Sequence, residues 1–337
     1  MIALLAVFAH ARPDPAEAPV VWPPPPEPAR VRAELPIVTS DWARRPPHTH
    51  GFAQVLRSLV GARAAVGFKK PYGVTTDSRG RVFVSDTGWG KVLVFARAGR
   101  AFSWVGDAGQ GALQKPAGLT TDARDHLYVA DLAVGAVLEY DERGAFVRTW
   151  GSGRMTRPVA VAWNPVTDAL WITDSKEHQI EIVSLATGET RSLGARGSAD
   201  GAFNFPTNLA AGPDGRMYVV DTFNFRVQVF GPDGTFERKW GANCDTYGCF
   251  AKPKGVGVAP DGRVFVADAA FNNVQVFDPD GVLLLAFGGV GNGVGHLYLP
   301  AGLHVDDSDH VYVVSQYNWR VNLYDYLGDG APDRRTR

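Results

Sequence analysis

Residues 205–241 read FPTNLAAGPDGRMYVVDTFNFRVQVFGPDGTFERKWG. Runs rich in Val, Phe and Tyr alternate in this segment with Pro-Asp-Gly triplets. Such triplets form turns, because proline fixes φ and glycine accepts a positive φ. The segment therefore predicts four short strands with a turn between each pair.

Related copies of this segment recur across most of the chain. Five copies begin at a proline and reach an aspartate about fifteen residues later, and the sixth has a serine at the second position. The pairs are Pro71 and Asp86, Pro116 and Asp131, Pro158 and Asp174, Pro206 and Asp221, Pro253 and Asp268, and Pro300 and Ser315. Successive prolines are 45, 42, 48, 47 and 47 positions apart. A period of four-stranded units in this range predicts an all-β, six-bladed β-propeller over residues 68–327.

The pattern P-x-G-[VL]-x-x-D-x-x-[GD]-x-[VL]-[YF]-V-x-D, followed by a strand like N-x-R-V-x-V-F, resembles the NHL repeat. Residues 70–95, 115–140 and 252–277 match it closely, and residues 206–230 match with Asn208 at the usual glycine. The third copy, where NPVTD at 164–168 replaces a short turn, is the most divergent. The resemblance implies the propeller fold and leaves the function open. NHL proteins include protein-interaction and RNA-binding modules, and their structural relatives include a zinc-dependent amidated-peptide lyase and calcium-dependent lactonase-type hydrolases.

The charge of the chain is nearly balanced, with 34 Lys and Arg against 35 Asp and Glu. Proteins that bind nucleic acids through their surface carry a basic face or stripe. We therefore expect no nucleic-acid partner. No run reaches the length of about twenty apolar residues that a membrane-spanning helix needs, so no transmembrane segment is expected. We expect a monomer.

The N-terminal residues suggest export. Residues 1–11, MIALLAVFAHA, form a candidate signal segment, because a short apolar run ends in Ala-His-Ala. The alternative is an apolar N-terminus that frays. Residues 12–29 form a Pro-rich arm, and VWPPPPE at 21–27 resembles the arm of bacterial NHL proteins that are predicted to be exported. A periplasmic or extracellular location is therefore expected. The arm either tethers the protein or packs across the propeller wall with Trp22 as an anchor.

The two cysteines of the chain, Cys244 and Cys249, lie in the single loop NCDTYGC. In an exported protein, two nearby cysteines with no other partner suggest a disulfide. Free thiols are the alternative. A metal site would need four ligands, and this loop adds only Asp245, so no metal is expected here.

The C-terminal repeat supplies only three strands, whereas each of the other five has a fourth. An open sheet edge invites pairing with other chains. We therefore predict that residues 30–38 form the outer strand of blade six and close the ring. Residues 30–67 would then comprise this closing strand and a connector with a helical turn at 54–59, and residues 328–337 would form a disordered tail.

The inner strands, which line the channel of a propeller, offer little for catalysis. A zinc lyase would need three protein ligands, and His304 is the one histidine at these positions. A calcium hydrolase would need converging carboxylate and amide oxygens, and Asn208 alone is suitably placed. The aspartates that recur once per blade are expected to accept backbone N–H groups. We expect no catalytic residue and no cofactor. A metal-dependent lyase or hydrolase at the channel mouth remains the alternative.

The loops between second and third strands, together with the loops between blades, are expected on one face of the propeller. Six aromatic residues of the first set form the predicted binding face: Trp89, Phe223, Phe225, Phe271, Tyr317 and Trp319. Aromatic side chains on Gly-rich loops are typical of recognition surfaces. The alternative is that each ring folds down over a blade junction. Arg226 and Arg320 belong to the same face, where bracing of neighbouring loops is favoured over ligand binding. The sequence thus predicts a non-catalytic binding or scaffold propeller whose partner is a protein, a peptide or a small ligand.

Overall fold

Six antiparallel blades surround a central channel in the computed structural model, which describes residues 19–44, 65–98 and 100–328. The chain begins with β1 (Val21–Trp22), β2 (Val31–Ile37) and the short helix α1 (Asp41–Arg44). The candidate signal segment at 1–11, the predicted helical turn at 54–59 and the tail beyond residue 328 lie outside the described residues. Within those residues, no helix has the length and hydropathy needed to cross a bilayer.

Each of the first five blades is a meander of four consecutive strands. Blade one is β3 (Pro71–Thr76), β4 (Arg81–Asp86), β5 (Lys91–Ala96) and β6 (Ala101–Val105), and blade two is β7 (Pro116–Thr121), β8 (Leu127–Asp131), β9 (Ala136–Tyr140) and β10 (Phe146–Trp150). Blade three is β11 (Pro158–Asn164), β12 (Ala169–Asp174), β13 (Gln179–Ser184) and β14 (Thr190–Leu193), and blade four is β15 (Pro206–Ala211), β16 (Met217–Asp221), β17 (Arg226–Phe230) and β18 (Phe236–Trp240). Blade five is β19 (Pro253–Val258), β20 (Val264–Asp268), β21 (Asn273–Phe277) and β22 (Leu283–Gly288).

Blade six closes the ring as the strand count predicts. It contains β23 (Pro300–Val305), β24 (His310–Ser315) and β25 (Arg320–Tyr326), and its fourth strand is the N-terminal β2. The antiparallel register pairs Val31 with Tyr326 and Ile37 with Val321. The two-residue strand β1 adds a fifth position outside β2. The first and last described segments of the chain are therefore held together by one sheet.

The core lies between the blades. The inner strands contact one another in the order β3, β7, β11, β15, β19, β23 and back to β3. Among the described residues, six clusters of buried apolar side chains occur, one at each junction between neighbouring blades. Because each blade buries both of its faces in this way, the strands are more uniformly apolar than those of a half-exposed sheet.

The described part of the Pro-rich arm packs against the propeller wall. The Trp22 ring lies 5.9 Å from the rings of both Phe287 and Tyr324, measured between centroids. These two rings belong to blades five and six, so the arm covers the junction between them. Burial of an indole at this position adds apolar contact area next to the closing strand.

A buried carboxylate fastens each of the first five blades to the loop that precedes it. Asp131 accepts N–H groups from Gln114 (2.7 Å) and Lys115 (2.9 Å) in the preceding loop, and from Ala133 (2.9 Å) and Val134 (3.1 Å) in its own turn. Asp86 and Asp268 accept the same four-donor pattern. The structural role predicted for these aspartates is confirmed, and it extends to the loop between blades.

We expect Asp131→Ala to lower the free energy of unfolding by about 3–5 kcal/mol, because buried N–H donors lose their acceptor. Asp141→Ala is the matched control, since Asp141 caps a single exposed turn through the N–H groups of Arg143 and Ala145. It should cost about 1 kcal/mol or less. Urea denaturation of both variants checks this, and equal losses would contradict the special role of the strand-end carboxylate.

The closing strand provides a second matched pair of substitutions. Ile37 is fully buried, whereas Leu35 on the same strand is 51% exposed. We expect Ile37→Ala to cost about 2–5 kcal/mol through the cavity it leaves, and Leu35→Ala to change stability by no more than about 0.5 kcal/mol. Thermal and urea unfolding would measure both. A negligible effect of Ile37→Ala would mean that β2 does not contribute to the closed ring.

Candidate functional site

One face of the propeller carries the longest loops. Each inner strand begins where the second strand ends, as the pairing of Pro206 with Asp221 shows. The outer strand ends at the same level, with Trp240 paired to Val227. The turns between second and third strands and the loops between blades therefore emerge together. We call this surface the loop face.

Three of the predicted aromatic residues are exposed on the loop face. Phe223, Tyr317 and Trp319 are 49%, 63% and 57% exposed. Phe223 packs edge-to-face on Phe205 with 5.2 Å between ring centroids, and Tyr317 stacks on Tyr298 at 4.5 Å. These neighbours hold the rings in place while leaving one side of each to solvent.

Trp89 and Phe225 pack inward instead. The Trp89 ring lies edge-to-face on Trp104, its Nε1 donates to the Gly67 carbonyl at 3.0 Å, and the Lys69 ammonium lies 3.4 Å from its centroid. Phe225 packs against the apolar cluster between blades four and five. Both rings cover blade junctions, which is the alternative that the sequence left open, and neither belongs to the exposed aromatic set.

Arg226 braces a loop between blades. Its guanidinium donates to the carbonyls of Ser198 (2.9 Å), Ala199 (2.9 Å) and Ala202 (2.8 Å), and its Nε donates to Asp221 at 2.9 Å. The side chain is buried. Its donors are occupied by the protein itself, which is the bracing role favoured from the sequence.

Arg320 repeats this arrangement in blade six with one difference. Its guanidinium donates to the carbonyls of Asn292 (2.8 Å), Gly293 (2.8 Å) and His296 (2.6 Å). Its Nε is buried and has no hydrogen-bond partner among the described residues. In blade six Ser315 occupies the position of the aspartate, so the acceptor that Arg226 uses is missing. Burial lowers the pKa of Arg320.

The predicted disulfide between Cys244 and Cys249 is present, with 5.5 Å between their Cα atoms. It lies in the loop between blades four and five. Beside it is an open pocket of about 400 Å³, lined by Asp245, Thr246, Tyr247, Phe271 and Asn273. Phe271 thus contributes a wall of a pocket. Two residues of the lining, Tyr247 and Asn273, are not among the site residues predicted from the sequence. The signal that could have found the latter is an asparagine where blades four and six have arginine.

The central channel contains both predicted residues. His304 and Asn208 line a cavity of about 150 Å³ whose wall is formed by the inner strands. The Nε2 of His304 lies 2.8 Å from the Thr76 hydroxyl, and Asn208 Oδ1 accepts the N–H of Leu209 at 2.8 Å. Burial lowers the pKa of His304 from 6.5 to about 4, although Asp306 and Asp307 act in the opposite direction. At neutral pH this imidazole is therefore uncharged. Across residues 19–44, 65–98 and 100–328, no group of three or more His, Cys, Asp or Glu could hold a metal ion.

Comparison with known proteins agrees with the repeat pattern. NHL repeat-containing protein 2 of Bos taurus is 31% identical over 88 residues, which cover 23% of this chain and 12% of that protein. The Homo sapiens protein is 27% identical over the same length. The chain thus spans about an eighth of the curated relatives it matches. No family model matches the chain.

Solved structures share the fold at low sequence identity. A gluconolactonase from Xanthomonas campestris superposes with a TM-score of 0.60 at 18% identity, covering 93% of this chain and 99% of the other. Virginiamycin B lyase from Staphylococcus aureus gives a TM-score of 0.58 at 12% identity, covering 80% and 86%. At these identities the likeness shows the fold alone. The blades, the ring and the sequence matches together support an NHL-type six-bladed β-propeller.

The low pKa of His304 predicts a pH dependence of stability. Because the folded-state pKa lies below that of the unfolded chain, the contribution of His304 to stability is complete above pH 6.5 and is lost as the pH falls toward 4. The difference in unfolding free energy between the wild type and His304→Gln should therefore change between pH 6.5 and 4 and level off below. Urea unfolding across this range measures it. A difference independent of pH would contradict the shift.

Proposed function

We propose that this protein is a non-catalytic binding or scaffold propeller that presents its loop face to a protein, peptide or small ligand. The observation that carries the proposal is the set of exposed aromatic residues on one face: Phe223, Tyr247, Tyr317 and Trp319. Aromatic side chains supply much of the binding energy in protein interfaces and lose few rotamers on binding. Ring contacts already orient Phe223 and Tyr317, which lowers the entropic cost of capture.

The scaffold beneath these residues supports the same proposal. Strand-end carboxylates anchor the loops at one end, and buried arginines brace two of them in the middle. A loop that is fixed in this way loses little conformational entropy when its tip binds a partner. Pre-organisation of this kind increases affinity without adding contacts.

We also propose that the protein works outside the cytoplasm. The Cys244–Cys249 disulfide supports this location, because such bonds persist in oxidising compartments. The apolar segment at residues 1–11 points the same way.

Panning a random-peptide display library against the oxidised protein tests the binding role. We expect enriched peptides whose affinity falls at least tenfold in the triple variant Phe223→Ser, Tyr317→Ser, Trp319→Ser, because each ring is a candidate hot spot. The control is Val166→Ser, Val282→Ser, since these exposed apolar residues lie in turns on the opposite face. It should bind like the wild type.

Calorimetry would give the dissociation constants of the enriched peptides, and circular dichroism would establish that each variant is folded. Binding that survives the triple variant but is lost in His304→Gln would contradict the loop-face proposal. It would favour ligand capture at the channel mouth instead. A failure to enrich any peptide or to bind one with saturable stoichiometry would count against a peptide-binding role.

A further inference from the structure

Three consecutive loops between blades, residues 194–205, 241–252 and 288–299, share one backbone design. Each contains the same isolated parallel bridge, formed by Arg196 with Phe203, Asn243 with Phe250, and Val290 with Leu297. Each also has the same backbone hydrogen bond across the loop. In the middle loop, the Phe250 N–H donates to the Ala242 carbonyl at 2.9 Å. The three loops can therefore be compared position by position.

In two of these loops an arginine from the neighbouring blade fills the interior. Arg226 reaches the carbonyls of residues 198, 199 and 202, and Arg320 reaches those of residues 292, 293 and 296. The carbonyls lie 28, 27 and 24 positions before the arginine in both cases. The loop backbone thus forms a socket of acceptors for a guanidinium group.

The middle loop lacks this arginine. The register of β20 with β21 puts Asn273 at the position of Arg226 and Arg320. The same offsets, counted back from Asn273, lead to Asp245, Thr246 and Cys249. The asparagine side chain is too short to reach across the loop as an arginine does. It is 6% exposed, and its Oδ1 is buried without a hydrogen-bond partner among the described residues.

A disulfide and a glutamine contact hold the middle loop, and the glutamine contact is shared with the loop before blade four. The disulfide links Cys244 to Cys249 within the loop. Gln275 accepts the N–H of Gly248 at 2.6 Å and donates to the Cys249 carbonyl at 2.8 Å. In blade four Gln228 bonds Gly201 and Ala202 in the same manner, next to an arginine that is present there. The loop keeps its shape, and the open pocket of about 400 Å³ lies beside Asn273, at the position where blades four and six have the arginine.

The lining of this pocket is complementary to a cation. Asp245 carries a carboxylate, and Asn273 offers an oxygen with no hydrogen-bond partner within residues 19–44, 65–98 and 100–328. Tyr247 and Phe271 present aromatic rings. Carboxylate and carbonyl oxygens accept the donors of a planar guanidinium, and aromatic faces attract a positive charge. We propose that this pocket is an arginine socket that binds the guanidinium or ammonium group of a ligand, with a peptide arginine as the best fit. This inference deepens the proposed loop-face function and rests on it for the nature of the partner.

Calorimetry with Nα-acetyl-L-arginine amide as the probe tests the socket directly. We expect one saturable site with a dissociation constant on the order of 1 mM, as suits a single small side chain. The neutral citrulline analogue, which has the same shape without the charge, should bind at least tenfold more weakly. Equal binding of the two probes would overturn the proposal.

Asn273→Arg is the decisive variant, because it restores the residue that blades four and six have. It should fill the pocket, raise the melting midpoint and abolish probe binding. Asn273→Leu, which adds volume without donors, should also abolish binding but should not raise the midpoint to the same extent. Unchanged binding of the arginine probe to a folded Asn273→Arg protein would mean that the probe binds elsewhere.

The peptides selected by display separate this inference from the proposed function. If both hold, selected peptides are rich in Arg or Lys and lose affinity in Asn273→Arg as well as in the triple aromatic variant. If the peptides lose affinity in the triple aromatic variant but keep it in Asn273→Arg, the loop-face function stands and the socket is refuted. If the arginine probe binds at the socket but the affinity of the selected peptides is unchanged by every loop-face substitution, the socket stands and the loop-face function is refuted.

Discussion

A carboxylate buried at the end of a strand is the interaction on which the loop face depends. An unpaired carboxylate is costly to bury, and the cost is offset when several N–H groups point at it. Asp86, Asp131 and Asp268 each receive such groups from two separate stretches, the turn that follows and the loop that precedes the blade. One side chain therefore fixes a turn of its own blade relative to the loop that enters that blade. Because strand-end aspartates of the first five blades accept N–H groups from the preceding loop, and Ser315 does so in blade six, the loop face has a common base.

Above this base, the loops differ in how their middles are held. An arginine holds the loops before blades four and six, whereas a disulfide holds the loop before blade five; a glutamine contact is common to the loops before blades four and five. Because of this difference, the loop before blade five borders an open pocket whose lining residues do not come from the other two loops. A change in one repeat thus creates a pocket that is specific to one loop, while the ring of blades keeps its structure. Blade six shows the converse: Ser315 stands in place of the aspartate, and Arg320 Nε has no acceptor in the parts of the chain that the structure describes.

The sequence was sufficient to predict the closed ring of blades, but it was insufficient to predict which aromatic side chains of the loop face are exposed. Proline-to-aspartate spacing identified the blades, and a missing fourth strand identified residues 30–38 as the closure, because both follow from periodicity and from the need to pair every edge. Whether an aromatic ring in a turn is exposed or buried depends on residues that are distant from it in sequence. Trp89 folds down because Trp104 and the Gly67 carbonyl receive it, and neither is encoded near position 89. The asparagine at 273 was visible in the sequence, but its consequence required knowing where the loop carbonyls point.

Ring closure also determines when this protein can finish folding. The partners β2 and β25 are far apart in sequence: Arg30, which directly precedes β2, donates to the Tyr326 hydroxyl across 296 positions. Each of the first five blades can form from local hairpins, whereas β2 is synthesised early and pairs only when β25, the last strand of the ring, is present. During that interval an unpaired strand is exposed to wrong partners, and Arg32, Glu34 and Pro36 along it discourage edge-to-edge pairing. A chain that ends before blade six therefore leaves Val31 and Ile37 without the strand β25 that pairs with them in the closed ring.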